Sequence, residues 1–492
     1  MNTLQVSNGQ AYLLKDIPVV KKDIFFGDII AGLNKGMKIS ALFPADRRDK
    51  SALICVLADP ASSSFRLSKC VFERGKLSFE SLANAFPQAA GLENELAEDS
   101  GYVPLNHPWP RPVRKQDIMP DGSTYNFYKL LGDEVHEVAV GPIHAGVIEP
   151  GHFRFQCHGE YIFNLEISLG YQKRGVEELM ISSGPGRRIV LAESAAGDTV
   201  MGHALANAGV VEALSGANVP LRAQVIRAMA EELERIAMHL SGLGGVANDI
   251  GFAIAASSYG RLRTLMINSL GALSGSRFGR GLTAYGGVNF DFDRDVINII
   301  LANLETVSRD VAAINKCLFS SGGSMQRFEK TGIVPKHAAR DLAFSGLTAR
   351  ACGIETDTRI DFPYGAYKYY PVSLMTMPEG DVFARTKLRT LEIEESLRFL
   401  FEQIETVPGG ELKSKCGPMA GSSGVVSVVE GWRGEILHIA LTDEKGELSQ
   451  YKIKDPSFNN WYALSMAVRN AAISDFPLCN KSFDLSYAGH DL

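Results

Sequence analysis

Glu193, Asp198 and His203 fall within one short stretch, Leu191 to His203, with the sequence LAESAAGDTVMGH. Two carboxylates and an imidazole so close together are groups that take up and release protons. The slots between them cannot ligate a soft metal, because Ala196 offers only a methyl group and Thr199 only a hydroxyl. A second group lies upstream in GPIHAGVIEPGH, where His144, Glu149 and His152 precede His158. Three neighbouring histidines suggest a metal, but their spacings do not match a compact zinc motif. Hydrogen-bonding roles are therefore expected for all three. The seven cysteines are Cys55, Cys70, Cys157, Cys317, Cys352, Cys416 and Cys479, and no two are three apart. They are expected to be small buried hydrophobes, not a disulfide or metal framework.

The elements that must position these groups follow from periodicity. Residues 37–80 hold four short apolar or alternating runs, MKISALFP, SALICVLAD, FRLSKCVFE and KLSFE, which predict an antiparallel meander. Residues 81–98 carry helical spacing, with Pro87 expected to kink or split the helix. The proline-rich HPWPRPVR marks a boundary near residues 110–125. FRFQCHGE and YIFNLEISLGY then predict two strands, followed by a helix over 172–180. The Leu191–His203 stretch opens a helical pattern after the turn at 182–186, with helices predicted over 203–216, 219–241, 291–318, 381–406 and 459–474. Gly242, Gly244 and Gly245 are expected to end the second of these. Its charged positions, Glu231, Glu232, Glu234 and Arg235, suggest a solvated face, although Arg235 or His239 could pair inside. Residues 350–371 are polar, aromatic and irregular, the kind of connection that lines sites. Residues 424–455 predict strands about a hairpin turn at Asp443–Gly446.

Bulk properties narrow the class. The chain has 492 residues, is 45% hydrophobic and 22% charged, and carries a net charge of -6. That composition builds a large core, and the charge, with no basic block, argues against nucleic acid as a partner. No apolar run is long enough to span a bilayer. The N-terminal MNTLQVSNGQAYLLKD lacks the features of a signal peptide, so cytoplasmic residence is expected. No Gly-x-Gly-x-x-Gly follows a strand, so any NAD contact is expected from partners.

Seven motifs occur in order: GPIHAGVIEPGHFRF, GYQKRGVEELM, EELERIAMHLSGLG, GIETDTRIDFPYGAY, EGDVFARTKLRTLEIEESL, VVEGWRGE and DPSFNNWYAL. This series resembles the large subunit of group 4 nickel-iron hydrogenases of the hydrogenase-4 and formate hydrogenlyase type. It equally resembles the C and D subunits of NADH-quinone oxidoreductase. Residues 1–120, ending in ENELAEDSGYVPLNHPWPRP, match the first of these, and the motif series matches the second. The resemblance implies an α+β fold: a module like the C subunit over 1–120, then a hydrogenase-large-subunit-like part over 121–492 with a small sheet and a long helical bundle. It also implies a small iron–sulfur partner holding the clusters, integral antiporter-like membrane subunits, and a quinone or other small acceptor. The implied location is cytoplasmic, peripheral on the inner face of the cell membrane.

An active hydrogenase of that family holds nickel and iron with two Cys-x-x-Cys pairs. The matching positions here are Ala196 and Thr199, then Ser486 and Gly489 in the tail. All four thiolates are missing, so neither a nickel-iron centre, nor any cofactor in this subunit, nor hydrogenase activity is expected. Glu149 matches the glutamate that relays protons in hydrogenases, and Gln156 falls near a magnesium-binding carboxylate. The tyrosine and histidine that bind quinone in the relatives would fall near Gly197 and Ile148, and both are absent. His144, Glu149, Glu193 and Asp198 are left as proton-path or pocket candidates. His152, Arg174, His203, Asp357 and Arg359 are candidates for lining the same polar cavity, with His490 of the tail beside them. The set reads either as buried ion pairs, with Arg174 on a carboxylate the foremost example, or as a proton path or small-ligand pocket. The resulting expectation is a large subunit that couples a cytoplasmic module to ion translocation without its own nickel-iron centre. The alternative is a scaffold subunit that carries no chemistry.

Overall fold

The computed structural model describes residues 1–73, 75–144 and 148–492. The N-terminal meander forms as expected for three of its runs. Lys38–Pro44, Ala52–Asp59 and Ser64–Val71 pair antiparallel in sequence, and Leu4–Ser7 adds to the outer edge. The fourth run departs from the meander: Ser78–Glu80 pairs in parallel with Val103–Leu105 instead. Pro87 opens a 3₁₀ turn, Pro87–Ala89, and the α-helix starts only at Ala90–Ser100. The ring fixes φ and supplies no N–H, so proline suits a helix start better than its interior.

This N-terminal sheet packs face to face with a C-terminal sheet. Its residues Val6, Ile54, Val56 and Leu67 share one core with Val426, Val428, Leu437 and Ile439, and Phe65 stacks on Phe362 at 4.7 Å. The C-terminal sheet runs Leu448–Lys454, Gly434–Thr442, Ser423–Gly431 and Ala11–Leu13, all antiparallel. A third sheet joins Val135–Val140, His152–His158 and Tyr161–Ser168.

The helical bundle is built on Leu221–Asp249, called here the central helix, which packs against Ala253–Ser274 and Val382–Glu405. Arg294–Ser320 completes it. The architecture is thus α+β, with small sheets and a long helical bundle.

Two expectations about the central helix are corrected. The helix does not stop at Gly242, Gly244 or Gly245 but runs through them to Asp249. Two of the glycines give room to a neighbour: a Cβ at 242 would crowd Arg389 and one at 245 would crowd Lys481, whereas one at 244 would make only ordinary contact with Tyr259. At Gly242 and Gly245, packing gained by close approach outweighs the helix cost of glycine, about 1 kcal/mol each. The charged face is not solvated either. Glu231, Glu232, Glu234, Arg235 and His239 are all buried. Burial holds because each finds a partner: Arg235 bonds Glu232 at 3.1 Å, and His239 bonds Glu392 at 2.7 Å.

The predicted helix over 459–474 is also shorter, Ser457–Ala467, and Asn470 at φ +62° redirects the chain into Phe476–Phe483. Among the described residues no helix is long and apolar enough to cross a membrane. Five of the cysteines are buried as expected, whereas Cys317 is exposed and Cys416 half-buried.

Candidate functional site

The Leu191–His203 stretch is a hinge between helices. Pro185–Glu193 ends, a loop carries Ala196 and Asp198, and Val200–Ser215 begins after Thr199. The first N–H groups of a helix need acceptors from outside it. Here the Glu234 carboxyl of the central helix reaches across and accepts from the Met201 N–H at 2.9 Å. Burial pushes the Glu234 carboxyl up to about 8, helped by Glu231 and Asp198.

The tail returns to this loop. Arg174 donates to the carbonyls of Ser194 and Ala195 on the loop and of Ala488 in the tail. The carboxylate partner expected for Arg174 is replaced by these carbonyl oxygens, which stitch the two motif ends together. Arg433, from the GWRGE turn between strands, lies between the same two ends. Its guanidinium donates to both Asp198 carboxylate oxygens at 2.7 Å, to Thr199 Oγ1 at 3.2 Å, and to the Asp484 carbonyl. It also stacks over Trp432 at 3.8 Å, and the Trp432 indole N–H donates to the Asp198 carbonyl.

The four positions that hold thiolates in the resembled family therefore converge, and all four are buried: Ala196, Thr199, Ser486 and Gly489. Their present chemistry does not fit a nickel-iron group. Ser486 Oγ is spent accepting the Gly489 N–H at 2.9 Å, as cap of the last helix. A side chain at Gly489 would place its Cβ 2.6 Å from the Asp455 carboxylate. A methyl, a hydroxyl bound to Arg433, a capping hydroxyl and a blocked glycine are not a soft donor set.

Glu149 sits at the open edge of this group. Burial of its carboxyl raises its pKa, the Asp198 carboxylate raises it further, and Arg433 opposes them. Glu149, Asp198 and Arg433 thus form one electrostatic unit. Glu193 does not join it: its carboxylate accepts from the Gly281 N–H at 2.7 Å, and burial raises its pKa. His144 bonds the Gly151 carbonyl at 2.9 Å and His152 faces the Gly141 carbonyl at 3.3 Å. His158 reaches Glu134 at 2.5 Å. The three histidines thus have separate hydrogen-bonding roles, and no group of three potential ligands is placed to hold a metal ion among the described residues. Gln156 is also committed locally, accepting from Leu130 N and donating to the Tyr128 carbonyl. His490 stacks on Phe458 and bonds Asp491 at 2.9 Å, apart from the Glu149 unit.

Asp357 and Arg359 form a two-bond pair at 3.0 and 2.7 Å, but they belong to another cluster. Arg359 bonds Glu232 of the central helix at 2.9 Å, and Arg350 ties Glu392 and Glu430 together. Burial alone would raise these acids. The surrounding arginines instead hold Glu232 and Asp357 down to about 2. At Glu231 burial outweighs the pull of Arg235 and pushes the carboxyl up to about 8, with the Tyr364 hydroxyl on it at 2.7 Å. It lines a cavity of about 260 Å³ between the central helix and strand Ser423–Gly431.

His203 is fully buried. Its Nε2 faces Asp455 Oδ2 at 3.2 Å and its Nδ1 faces His438 Nε2 at 3.1 Å. Arg433, His438, Asp455 and Glu234 are functional candidates that sequence reasoning did not single out. Arg433 and Asp455 lie in two of the ordered motifs, VVEGWRGE and DPSFNNWYAL, and that was the available signal.

Comparison with known proteins bears on the fold and on the resemblance of the chain. Residues 249–420 match the family described as respiratory-chain NADH dehydrogenase, 49 Kd subunit. Formate hydrogenlyase subunit 5 of Escherichia coli (strain K12) is 28% identical over 484 residues, covering 93% of this chain and 85% of that one. The chain is a homologue of these large subunits. Hydrogenase-4 component G of the same organism is 28% identical, covering 86% of this chain and 77% of its own. The D subunit of NADH-quinone oxidoreductase from Dehalococcoides mccartyi (strain ATCC BAA-2100 / JCM 16839 / KCTC 5957 / BAV1) is 28% identical, covering 70% and 95%. Among solved structures, a chain of the membrane-bound sulfane sulfur reductase, an archaeal respiratory membrane complex, superposes with a TM-score of 0.69. It is 21% identical and covers 74% of this chain and 100% of its own. That likeness establishes the fold of the part it covers.

Proposed function

We propose that this chain is the large subunit of a hydrogenase-4-like or complex-I-like membrane assembly and works there without a nickel-iron centre of its own. In this reading it docks against a small iron–sulfur subunit and integral antiporter-like subunits, on the inner face of the membrane. The observation that supports it best is Arg433. Its guanidinium lies between the two vacated pairs and binds Asp198, Thr199 and the Asp484 carbonyl. A fixed cation between the two ends favours an anion or a proton-exchanging carboxyl nearby, and Glu149 is a carboxyl in its field whose pKa is nevertheless raised. Glu149 beside Asp198 and Arg433 is thus the group that changes protonation when the site is used, with a quinone or other small acceptor as the partner molecule.

The scaffold reading draws on different residues. Glu193, Arg174, Asp357 and Arg359 are all spent on bonds within the chain, as buried structural pairs are.

Purification of the tagged chain from membranes tests the assembly, with mass spectrometry of its partners and metal analysis of the product. Recovery with an iron–sulfur subunit and integral subunits, and with no stoichiometric nickel, is expected. One nickel per chain would overturn the reading. Glu149→Gln then separates the two roles: lost turnover in an assembled complex supports proton handling, and full turnover supports the scaffold.

A further inference from the structure

A buried line of polar side chains runs from the vacated pairs to the surface and shares no member with the Glu149 group. Two elements build it. His203 and Asn207 lie one turn apart on the helix Val200–Ser215, so they project from one face. His438 and Tyr451 come from the paired strands Gly434–Thr442 and Leu448–Lys454, as diagonal neighbours across the ladder. Asp455 follows the second strand directly and sits under Gly489. Tyr285, half-buried, closes the outer end.

The contacts are continuous. Tyr285 Oη donates to Asn207 Oδ1 at 2.8 Å, and Asn207 Nδ2 donates to Tyr451 Oη at 2.7 Å. Tyr451 Oη meets His438 Nδ1 at 2.8 Å, His438 Nε2 meets His203 Nδ1 at 3.1 Å, and His203 Nε2 meets Asp455 Oδ2 at 3.2 Å. His203, His438 and Asn207 are fully buried, and Asp455 and Tyr451 are 1% exposed. The donors fix one direction. The Asn207 amide occupies the phenol oxygen as a donor, so the Tyr451 proton points at His438 Nδ1. His438 then carries its proton on Nε2 and gives it to His203 Nδ1. His203 in turn carries its proton on Nε2, facing the Asp455 carboxylate. Every ring nitrogen is used once.

Purely structural polar contacts in a core do not need this order. A buried histidine is well satisfied by one carboxylate and one carbonyl, whereas two imidazoles in contact spend two costly buried groups on each other. Desolvation, then the neighbouring His203, drives the pKa of His438 well below the usual histidine range. It is therefore a ring that transmits a proton without keeping it. The charges facing the ends are Arg433 at Asp455 and, at Tyr285, Arg188 and Glu212.

We propose that Tyr285, Asn207, Tyr451, His438, His203 and Asp455 form a proton relay between solvent and the buried side of the vacated centre. One inward passage balances as follows. Solvent protonates Tyr285 as its own proton moves to Asn207 Oδ1, and an Asn207 amide proton moves to Tyr451. The Tyr451 proton moves to His438 Nδ1, the His438 Nε2 proton to His203 Nδ1, and the His203 Nε2 proton to Asp455. One proton leaves water and one appears on the Asp455 carboxyl. Both rings end with their protons on Nδ1 and Asn207 is left as its imidic tautomer; reverse transfer restores the line and returns the proton to water, so the line equilibrates Asp455 with solvent.

The test uses the full chain labelled with nitrogen-15 in histidine. Ring nitrogen shifts are expected to place the proton of both His203 and His438 on Nε2. Exchange of those ring protons with solvent is then followed in the wild type and in Tyr451→Phe and Tyr285→Phe. Each variant removes only a hydroxyl from the line, and each is expected to slow exchange of both ring protons about tenfold or more. Backbone amide exchange on Val200–Ser215 should not change. Unchanged ring exchange in Tyr451→Phe would overturn the relay. If that variant fails to fold, Tyr285→Phe at the half-exposed end decides alone: slower exchange supports the relay, and wild-type exchange overturns the exit through Tyr285.

Discussion

Arg433 grips Asp198 with two parallel bonds of 2.7 Å, yet the two side chains sit in different surroundings. The arginine side chain is 5% exposed and the aspartate 40%. The two partners should therefore differ in what their loss costs. Asp198→Asn keeps an acceptor, and Arg433 retains Asp484 and Asp455 in its field. A loss of about 1 kcal/mol is expected, as for a partly exposed pair. Arg433→Leu leaves Asp198, Asp455 and Asp484 without their shared cation and cuts the tie between loop and tail. A loss of about 3 kcal/mol is expected, as when one partner of a buried pair is removed. Denaturant unfolding of the two variants checks the order, and equal midpoints would show that Arg433 carries no special burden.

Glu234 gives the stability of the protein a pH dependence of definite sign. Burial, then Glu231 and Asp198, raises its carboxyl to about 8, against about 4.3 in an unfolded chain. A raised folded pKa means that its contribution is full below about pH 4 and is lost as pH rises through 8. Glu234→Gln keeps an oxygen to accept the Met201 N–H and cannot ionise. The variant should melt with the wild type near pH 5 and above it at pH 9, by a margin on the order of a few kcal/mol. A constant difference across that range would mean that Glu234 does not titrate there.

Much of the fold was legible because burial imposes period. The meander strands and the helices near 294–320 and 382–405 carry their apolar residues at the spacing their geometry requires. The charges of the central helix were misread because the residues that satisfy them lie far along the chain. Glu232 meets Arg359 127 positions away, and Arg235 meets the Glu430 carbonyl 195 positions away. Nothing local distinguishes a solvated Glu-Glu-x-Glu-Arg from a buried one. The site divides in the same way. The vacated pairs follow from the family resemblance, but the cation between them does not, since Arg433 and Asp198 are 235 residues apart. His203 was legible as a candidate, whereas its partners His438 and Asp455 exist only through the sheet register.

The tail offers a contrast between two neighbouring vacated positions. Ser486→Cys keeps nearly the same volume and weakens one helix cap, a loss of about 1 kcal/mol. Gly489→Cys must displace the Asp455 carboxylate, 2.6 Å from the new Cβ. Asp455 is held by His203 and by the Ser457 N–H at 2.8 Å, so it has little freedom to move. Overpacking there should lower stability by about 2 kcal/mol or more. It should also shift the ring nitrogen signals of His203, which Ser486→Cys should leave in place. Equal losses for the two variants would count against a rigid Asp455.

The glycines of the central helix make the last prediction, and they separate packing from propensity. Alanine in a helix interior is favoured over glycine by about 1 kcal/mol where space allows. At Gly244 the nearest atoms to an added Cβ are Tyr259 Cβ at 3.5 Å and the Ala256 carbonyl oxygen at 3.6 Å, ordinary contacts. Gly244→Ala should therefore leave stability unchanged or raise it by up to about 1 kcal/mol. At Gly242 the added atom would lie 2.7 Å from Arg389 Nε and 3.1 Å from Asp484 Oδ2. Arg389 is fully buried, and burial lowers its guanidinium pKa to about 10. It cannot swing into solvent without opening the contact between the central helix and Val382–Glu405. Gly242→Ala should lower stability by about 2 kcal/mol, the cost of overpacking a filled core. Thermal unfolding of the two single variants should move the midpoint in opposite directions or move it only for Gly242. A matched rise in both would mean that Arg389 yields easily and that the glycine is dispensable.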